Sequence, residues 1–501
     1  SDSDAIPDCY EAFAGLDRDS AHDATEDADG DGLGNLDEYE RGTHPFMQDS
    51  DGDSIQDSEE ISLGLDPLSS NIAVDSDGDG VPDTLEFLAG FTPVDADSRP
   101  TGGEIIWQHP VDTTRYASPY IGNRYSNGIF TSGSKVYDHL GRQLSSREFS
   151  ADVIWISSWS TYYIDEAGEL RYIRADKDSS ARQSGLQDVV GAAFSTKSRY
   201  TVYYYTGQAG ELVATQNEPF EPGHKWTIDV PKDYPVWEGT PVGDATVHTA
   251  PVLNGGKQVS AAAGKLFLQV GHGSGGEAVA GELLDGAVRH PMAADRFGSI
   301  ALGTESGSVY SINNGDVQWK NSRNAPVTSG IAIGYGGIVI AGDDEGVLRA
   351  IDTDGTTLWW RDLGDAISGT PVVGASGHLY VFAGADLVAV DGLGHELWRT
   401  AVDPAPFTSP RMDQHGILYL TSTTRGLTAV YTGEQGVAQS DWPMEAHDGG
   451  ATGNLNGGRI NEDESALLEI QSPAEGAVVP AGEPLRLVAD AYDEEDGNLS
   501  D

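Results

Sequence analysis

Residues Thr328–Trp360 read TSGIAIGYGGIVIAGDDEGVLRAIDTDGTTLWW. A small-residue entry leads into short runs of Ile, Val and Leu, parted by Gly- and Asp-bearing turns and ended by tryptophan. Short runs of this kind, rich in β-branched residues and bounded by turn residues, read as strands. The same order returns in Ser368–Trp398, SGTPVVGASGHLYVFAGADLVAVDGLGHELW, and again from Thr408, TSPRMDQHGILYLTSTTRGLTAVYTGEQG. Each copy holds room for three to four strands in roughly 38 residues, too few to bury a core alone.

Weaker copies precede these: Arg296–Trp319, Thr249–Leu284, and the runs VVGAAFSTKSRYTVYYYTGQAGELVAT, VIWISSWSTYYIDEAGELRYI and SPYIGNRYSNGIFTSGSKVYDHLGRQL. Serial units of about four short strands specify a β-propeller. The fold class is therefore mostly β, an eight-bladed propeller. A seven-bladed ring is the alternative, because the join near Pro219–Val247 is ambiguous. Glu104–Pro110, EIIWQHP, reads as the last strand of a blade whose other strands lie at the C-terminal end, a pairing that removes open sheet edges.

The first hundred residues follow another rule. Asp75–Glu86 reads DSDGDGVPDTLE. Asp75, Asp77, Asp79, Asp83 and Glu86 occupy positions 1, 3, 5, 9 and 12, Gly80 sits at the bend, and Val81 offers a backbone carbonyl at position 7. That is the ligand frame of a calcium loop. The frame recurs at Asp27, Asp29, Asp31, Leu33, Asn35 and Glu38, and at Asp49, Asp51, Asp53, Ile55, Asp57 and Glu60, where Ser54 replaces the bend glycine. Carboxylates so crowded repel unless a cation lies among them, so three or more Ca2+ ions are expected. A short helix is expected after each loop, with Gly42, Gly64 and Gly90 at the C-caps and Pro45, Pro67 and Pro93 beyond. Asp17 and Asp19 look like a degenerate first unit.

Across Asp17–Ser98 these repeats resemble thrombospondin type 3 repeats of bacterial surface proteins, which implies a compact, metal-filled stalk. The segments Leu348–Trp359 and Leu387–Trp398, which share D-x-x-G-x-x-L-W, resemble the quinoprotein-like (PQQ-like) propeller family across about Gly103–Gly458. Asp441–Gly453, DWPMEAHDGGATG, resembles the segment that often ends such propellers. Ala466–Asp501 resembles the opening of an immunoglobulin- or cadherin-like module. The expected domains are 1–100, calcium-binding repeats; 101–460, propeller; and 461–501, a linker and incomplete module, with the natural protein continuing past Asp501.

The chain has 501 residues and a net charge of −51; residues 1–100 hold 28 Asp and Glu against 3 Arg and no Lys, a net of −25. This disfavours nucleic acid and anionic membranes as partners. No apolar run is long enough to span a bilayer, so direct membrane insertion is not expected. The one cysteine, Cys9, precludes an intrachain disulfide, leaving calcium as the staple. Free calcium is scarce in the cytosol, so an extracellular or cell-surface location is expected.

No enzyme is expected. The PQQ-like resemblance raises quinone-dependent oxidation, but the propeller stretch has no cysteine for the adjacent-cysteine disulfide of true quinoproteins, and no Glu/Asn/Asp metal set can be placed in it. Gly271–Gly276, GHGSGG, lies within a run of β units and reads as a blade turn rather than a dinucleotide loop. His447–Asp448 would point to opposite faces of a strand. Asp343–Glu345, Asp352 and Asp354 read as turn acids, Trp319, Trp359 and Trp398 as inter-blade packing, and the cluster Asp490, Asp493, Glu495 and Asp496 as a solvated turn, with a further calcium site in a complete module as the alternative. The expected function is a structural or adhesive segment of a large bacterial surface protein, its propeller meeting an unknown protein, a glycan or another copy. A propeller scaffold for envelope protein assembly is the alternative. Removing calcium is expected to loosen residues 17–98 and leave the propeller folded.

Overall fold

The computed structural model describes residues 284–445 almost continuously, all but 406, 407 and 414. It describes the N-terminal region apart from 1–3, 8–9, 12–13, 52–54, 70–73 and 80, and chiefly strand backbones in 111–283 and beyond 445. Eight four-stranded antiparallel sheets are present among these residues. Seven are built from consecutive strands, spanning 120–145, 152–183, 189–228, 252–283, 293–322, 332–362 and 367–401. The first strands of successive sheets lie side by side through this series. Gly271 ends one strand and Ala280 begins its antiparallel neighbour, so GHGSGG starts a connection within a sheet.

The eighth sheet is composite. β1 (Ile105–His109) joins three strands from far along the chain, β2 (Arg411–Met412), β3 (Ile417–Ser422) and β4 (Gly426–Tyr431), in the order β1-β4-β3-β2. Trp107, Gln108 and His109 lie opposite Ala429, Thr428 and Leu427.

In the sheets at 332–362 and 367–401 the middle strands are covered on both faces. Every residue of Val339–Gly342, Val347–Ile351 and Leu379–Ala383 is buried, so these strands read as unbroken apolar runs. The outermost strands, Thr357–Asp362 and Glu396–Ala401, alternate between half-buried and exposed positions.

Successive sheets are keyed by tryptophan on glycine. A Cβ at Gly355 would stand 2.8 Å from Trp319, one at Gly394 2.7 Å from Trp359, and one at Gly141 2.9 Å from Trp107. Each of these glycines has a positive φ, so both the turn and the indole require its missing side chain. Trp359 also donates from Nε1 to the Gly392 carbonyl at 2.9 Å. In the composite sheet the turn before the outer strand is interrupted, and Gly103 takes its place: a Cβ there would meet Trp398 at 2.8 Å.

Asp441–Glu445 threads across the inner ends of five sheets. Asp441 pairs with Arg296, Trp442 exchanges backbone hydrogen bonds with Ile333, and Val373 donates to the Pro443 carbonyl at 2.8 Å. Arg411 donates to the Glu445 carbonyl at 2.9 Å, while Ser118 donates to the Glu445 carboxylate at 3.1 Å. Trp442 is fully buried. His447 and Asp448 lie outside the described residues, as does most of the join at 219–247. Leu467–Ser472, Val488–Asp493 and Gly497–Asn498 form a separate three-stranded sheet, in which Glu495 and Asp496 are not described.

Candidate metal centre

Three short helices, α1 (Asn35–Arg41), α2 (Asp57–Leu63) and α3 (Asp83–Leu88), each begin at the ninth loop position. The twelfth-position Glu therefore lies on the first helical turn, facing back over the loop. Gly42 and Gly64 are the left-handed C-caps of α1 and α2, whereas α3 is capped by Ala89 in right-handed conformation and the left-handed Gly90 follows it.

In two loops the first three carboxylates converge. One oxygen from each of Asp27, Asp29 and Asp31 lies within 4.8 Å of the others, and so does one from each of Asp75, Asp77 and Asp79. Backbone amides hold them there. Gly30 donates to Asp27 at 2.7 Å, Asp31 to Asp29 at 3.1 Å and Leu33 to Asp31 at 2.7 Å. Gly78, Asp79 and Val81 repeat the pattern on Asp75, Asp77 and Asp79 at 2.7, 3.1 and 2.8 Å. In the second loop Asp49 and Asp51 are half-buried and Glu60 is fully buried, while Asp53 and Ser54 are outside the described residues.

Glu38 and Glu86 carry the clearest electrostatic signal. Both are fully buried, and neither carboxylate has a hydrogen-bond partner among the described residues. Burial, then the charges of Asp29, Asp31, Asp57 and Asp27, push Glu38 up to about 8. Burial, then Asp79, Asp77, Asp83 and Asp75, push Glu86 up to about 8. An ionised carboxylate so placed is costly without a counter-charge, and an all-oxygen donor set suits a hard divalent cation.

The ninth-position residues brace the loops. Both oxygens of Asp57 accept from Ser50, at 2.8 and 2.7 Å, and both of Asp83 accept from Ser76, at 2.7 and 2.6 Å. Asn35 donates to the Asp23 carbonyl at 2.7 Å. At the seventh position, Ile55 and Val81 are buried and Leu33 half-buried, so these side chains anchor the loops. Ser58 of the second unit donates through its hydroxyl to the Asp31 carbonyl at 2.6 Å, joining consecutive units.

The third unit is docked on the composite sheet. Val81 and Leu85 share one core with Ile106, Tyr137, Ile417, Tyr419, Leu427 and Ala429. Arg99 donates to the Asp79 carbonyl at 3.2 Å. The Tyr431 phenol on β4 is pushed up first by burial and then by the charge of Asp79. The region expected to loosen alone when calcium is removed thus shares a core with the composite sheet at its third unit.

Asp343 accepts from Val347 at 2.9 Å and pairs with Arg323 at 2.8 Å, and Asp354 accepts from Thr356 at 2.8 Å, so these acids close blade turns. A further group, Asp4, Glu11 and Asp23, converges outside the three loop frames. Asp17 and Asp19, expected as a degenerate unit, are both exposed; the Asp17 amide donates to Asp23 at 2.7 Å.

Residues 344–449 match the family model PQQ_2, described as outer membrane protein assembly factor BamB. This stretch is a PQQ-like propeller region. The matched stretch holds Gly394 and Trp359, which key the sixth and seventh sheets together, and Trp398, which meets Gly103 at the eighth. Among solved structures, the chain is similar to the computationally designed Ika8 protein (15% identity, TM-score 0.47, covering 65% of this chain and 100% of that one). It is also similar to BamB from Moraxella catarrhalis (11%, 0.49, 66% and 99%) and to the WD40 β-propeller domain of Doa1 (11%, 0.41, 63% and 97%). Comparison with curated proteins finds no match. No helix among the described residues is long and apolar enough to cross a membrane.

Proposed function

We propose that the chain is a calcium-stabilised protein-binding scaffold of the cell surface or envelope. Its eight sheets form one eight-bladed ring, and the third calcium loop clamps the composite blade that closes it. The observation that carries this reading is the shared core of Val81 and Leu85 with β1, β3 and β4. The closing strand β1 belongs to the same chain segment as that loop, so an ion held by Asp75, Asp77, Asp79 and Glu86 would fix the segment that completes the ring. Assembly as the task is supported by the family name matched at residues 344–449. Leu358, Trp360 and Leu397 are exposed on the outer strands of neighbouring sheets, where a protein partner would find apolar contact. No residue is given a catalytic role.

The test is retention of a partner from an envelope extract of the source cells by the immobilised chain in calcium. Retention of one defined protein, lost with Trp360→Lys, is the expected result. Equal retention by wild type and variant, or none by either, overturns the scaffold reading. A surface-adhesive role is the second reading, favoured by the net charge of −51. It requires binding to a glycan or to a second copy in place of that protein.

A further inference from the structure

We infer that Asp4, Glu11 and Asp23 form a further calcium site, completed by a carboxylate from the segment that follows it. The inference rests on the reading that the three predicted loops hold calcium, and it adds a site outside them. One oxygen from each carboxylate lies within 4.8 Å of the other two. Glu11 is fully buried and Asp23 is 7% exposed. Asp23 Oδ2 accepts from the Asp17 amide at 2.7 Å, while its Oδ1 is buried with no hydrogen-bond partner among the described residues. Asp4 is in the same condition: Oδ1 accepts from the Ile6 amide at 2.9 Å and Oδ2 is buried without one. Buried carboxylate oxygens turned toward like charges are stable only protonated or shared with a cation.

The backbone supports the same conclusion independently. Asp4–Glu11 reads DAIPDCYE against DGVPDTLE at Asp79–Glu86. Ala5 falls where the loops place their bend glycine and holds φ at +86°, strained for alanine and close to the +107° of Gly32. Glu11 donates to the Pro7 carbonyl at 3.1 Å as Glu86 donates to Pro82 at 3.2 Å. Gly15 and Leu16 close on the Glu11 carbonyl at 2.8 Å each, as Gly42 and Thr43 close on Glu38. Asp8 takes the ninth position and lies outside the described residues. Asp23 differs in kind, since it comes from beyond the helical turn. Its carbonyl accepts from Asn35 of the next loop while its carboxylate serves this cluster, so one residue ties two sites together.

The test is the number of calcium ions bound by the full chain, read by native mass spectrometry and by calorimetric titration. Four ions are expected for wild type and three for Asp23→Asn, with the remaining affinities changed less than threefold. Asp4→Asn, at a half-buried position, serves as the second variant and is expected to lose the same ion. An unchanged count in both variants overturns the site. Loss of every ion in both overturns it as a separate site. Failure of the underlying reading is distinct: wild type would then bind no calcium at all.

Discussion

Leu85 is the position at which coupling between the third loop and the propeller can be measured. It is 5% exposed, and its neighbours include Ile106 on β1 and Tyr419 on β3. Leu85→Ala removes three carbons, about 2.4 kcal/mol of burial at ~0.8 kcal/mol each, and the residual cavity brings the loss to about 3 kcal/mol. The loop carboxylates Asp75, Asp77, Asp79 and Glu86 are left unaltered. Urea unfolding in saturating calcium, followed by tryptophan fluorescence, reports the propeller because no tryptophan precedes Trp107. If α3 is part of the closing blade, the fluorescence midpoint falls with the substitution. A midpoint equal to wild type, with only the N-terminal region becoming protease-sensitive, refutes the coupling.

Three other outcomes follow from the same geometry. In excess chelator, Glu38 and Glu86 are held up at about 8 against 4.5 when unfolded, so their native state binds the extra protons. Their stabilising contribution is full below about 4.5 and lost as pH rises through about 8; chelated protein should therefore resist urea better at pH 5 than at pH 8.5, and calcium should reverse that order. Gly141→Ala places a Cβ 2.9 Å from Trp107 at a φ of +83°, whereas Gly364→Ala has a φ of +94° with nothing within 4 Å. Unfolding should show the first costing about 2–4 kcal/mol and the second only the backbone penalty of about 1–2 kcal/mol. Trp442→Ala should cost about 3–5 kcal/mol and speed amide exchange at Ile333 and Val373, the residues its segment bridges.

Much of this was legible in the sequence, for reasons that are local. A twelve-residue loop frame is local, so the convergence of Asp27, Asp29 and Asp31 and of Asp75, Asp77 and Asp79 could be expected from spacing alone. A blade turn needs glycine at a positive φ, and Gly355 and Gly394 mark it inside D-x-x-G. The role of Trp319 and Trp359 as inter-sheet packing followed from their periodic place, and both rest on those glycines. Long-range addresses were less legible. Val81 and Leu85 read as a loop and a helix residue, and nothing in their spacing tells that they meet Tyr419. Asp23 stands twelve residues beyond Glu11, outside any loop frame, so its carboxylate could not be assigned to that cluster by pattern. The resemblance of DAIPDCYE to DGVPDTLE was the signal available, obscured because alanine holds the place of glycine.

The most direct measurement is hydrogen exchange of the peptides covering Ile105–His109 and Gly426–Tyr431, with calcium and with chelator. Chelation is expected to raise exchange in both strands by at least tenfold while the sheet at 367–401 stays protected. Unchanged protection of β1 and β4 alongside a loosened Asp75–Leu88 contradicts the claim that calcium fastens the ring.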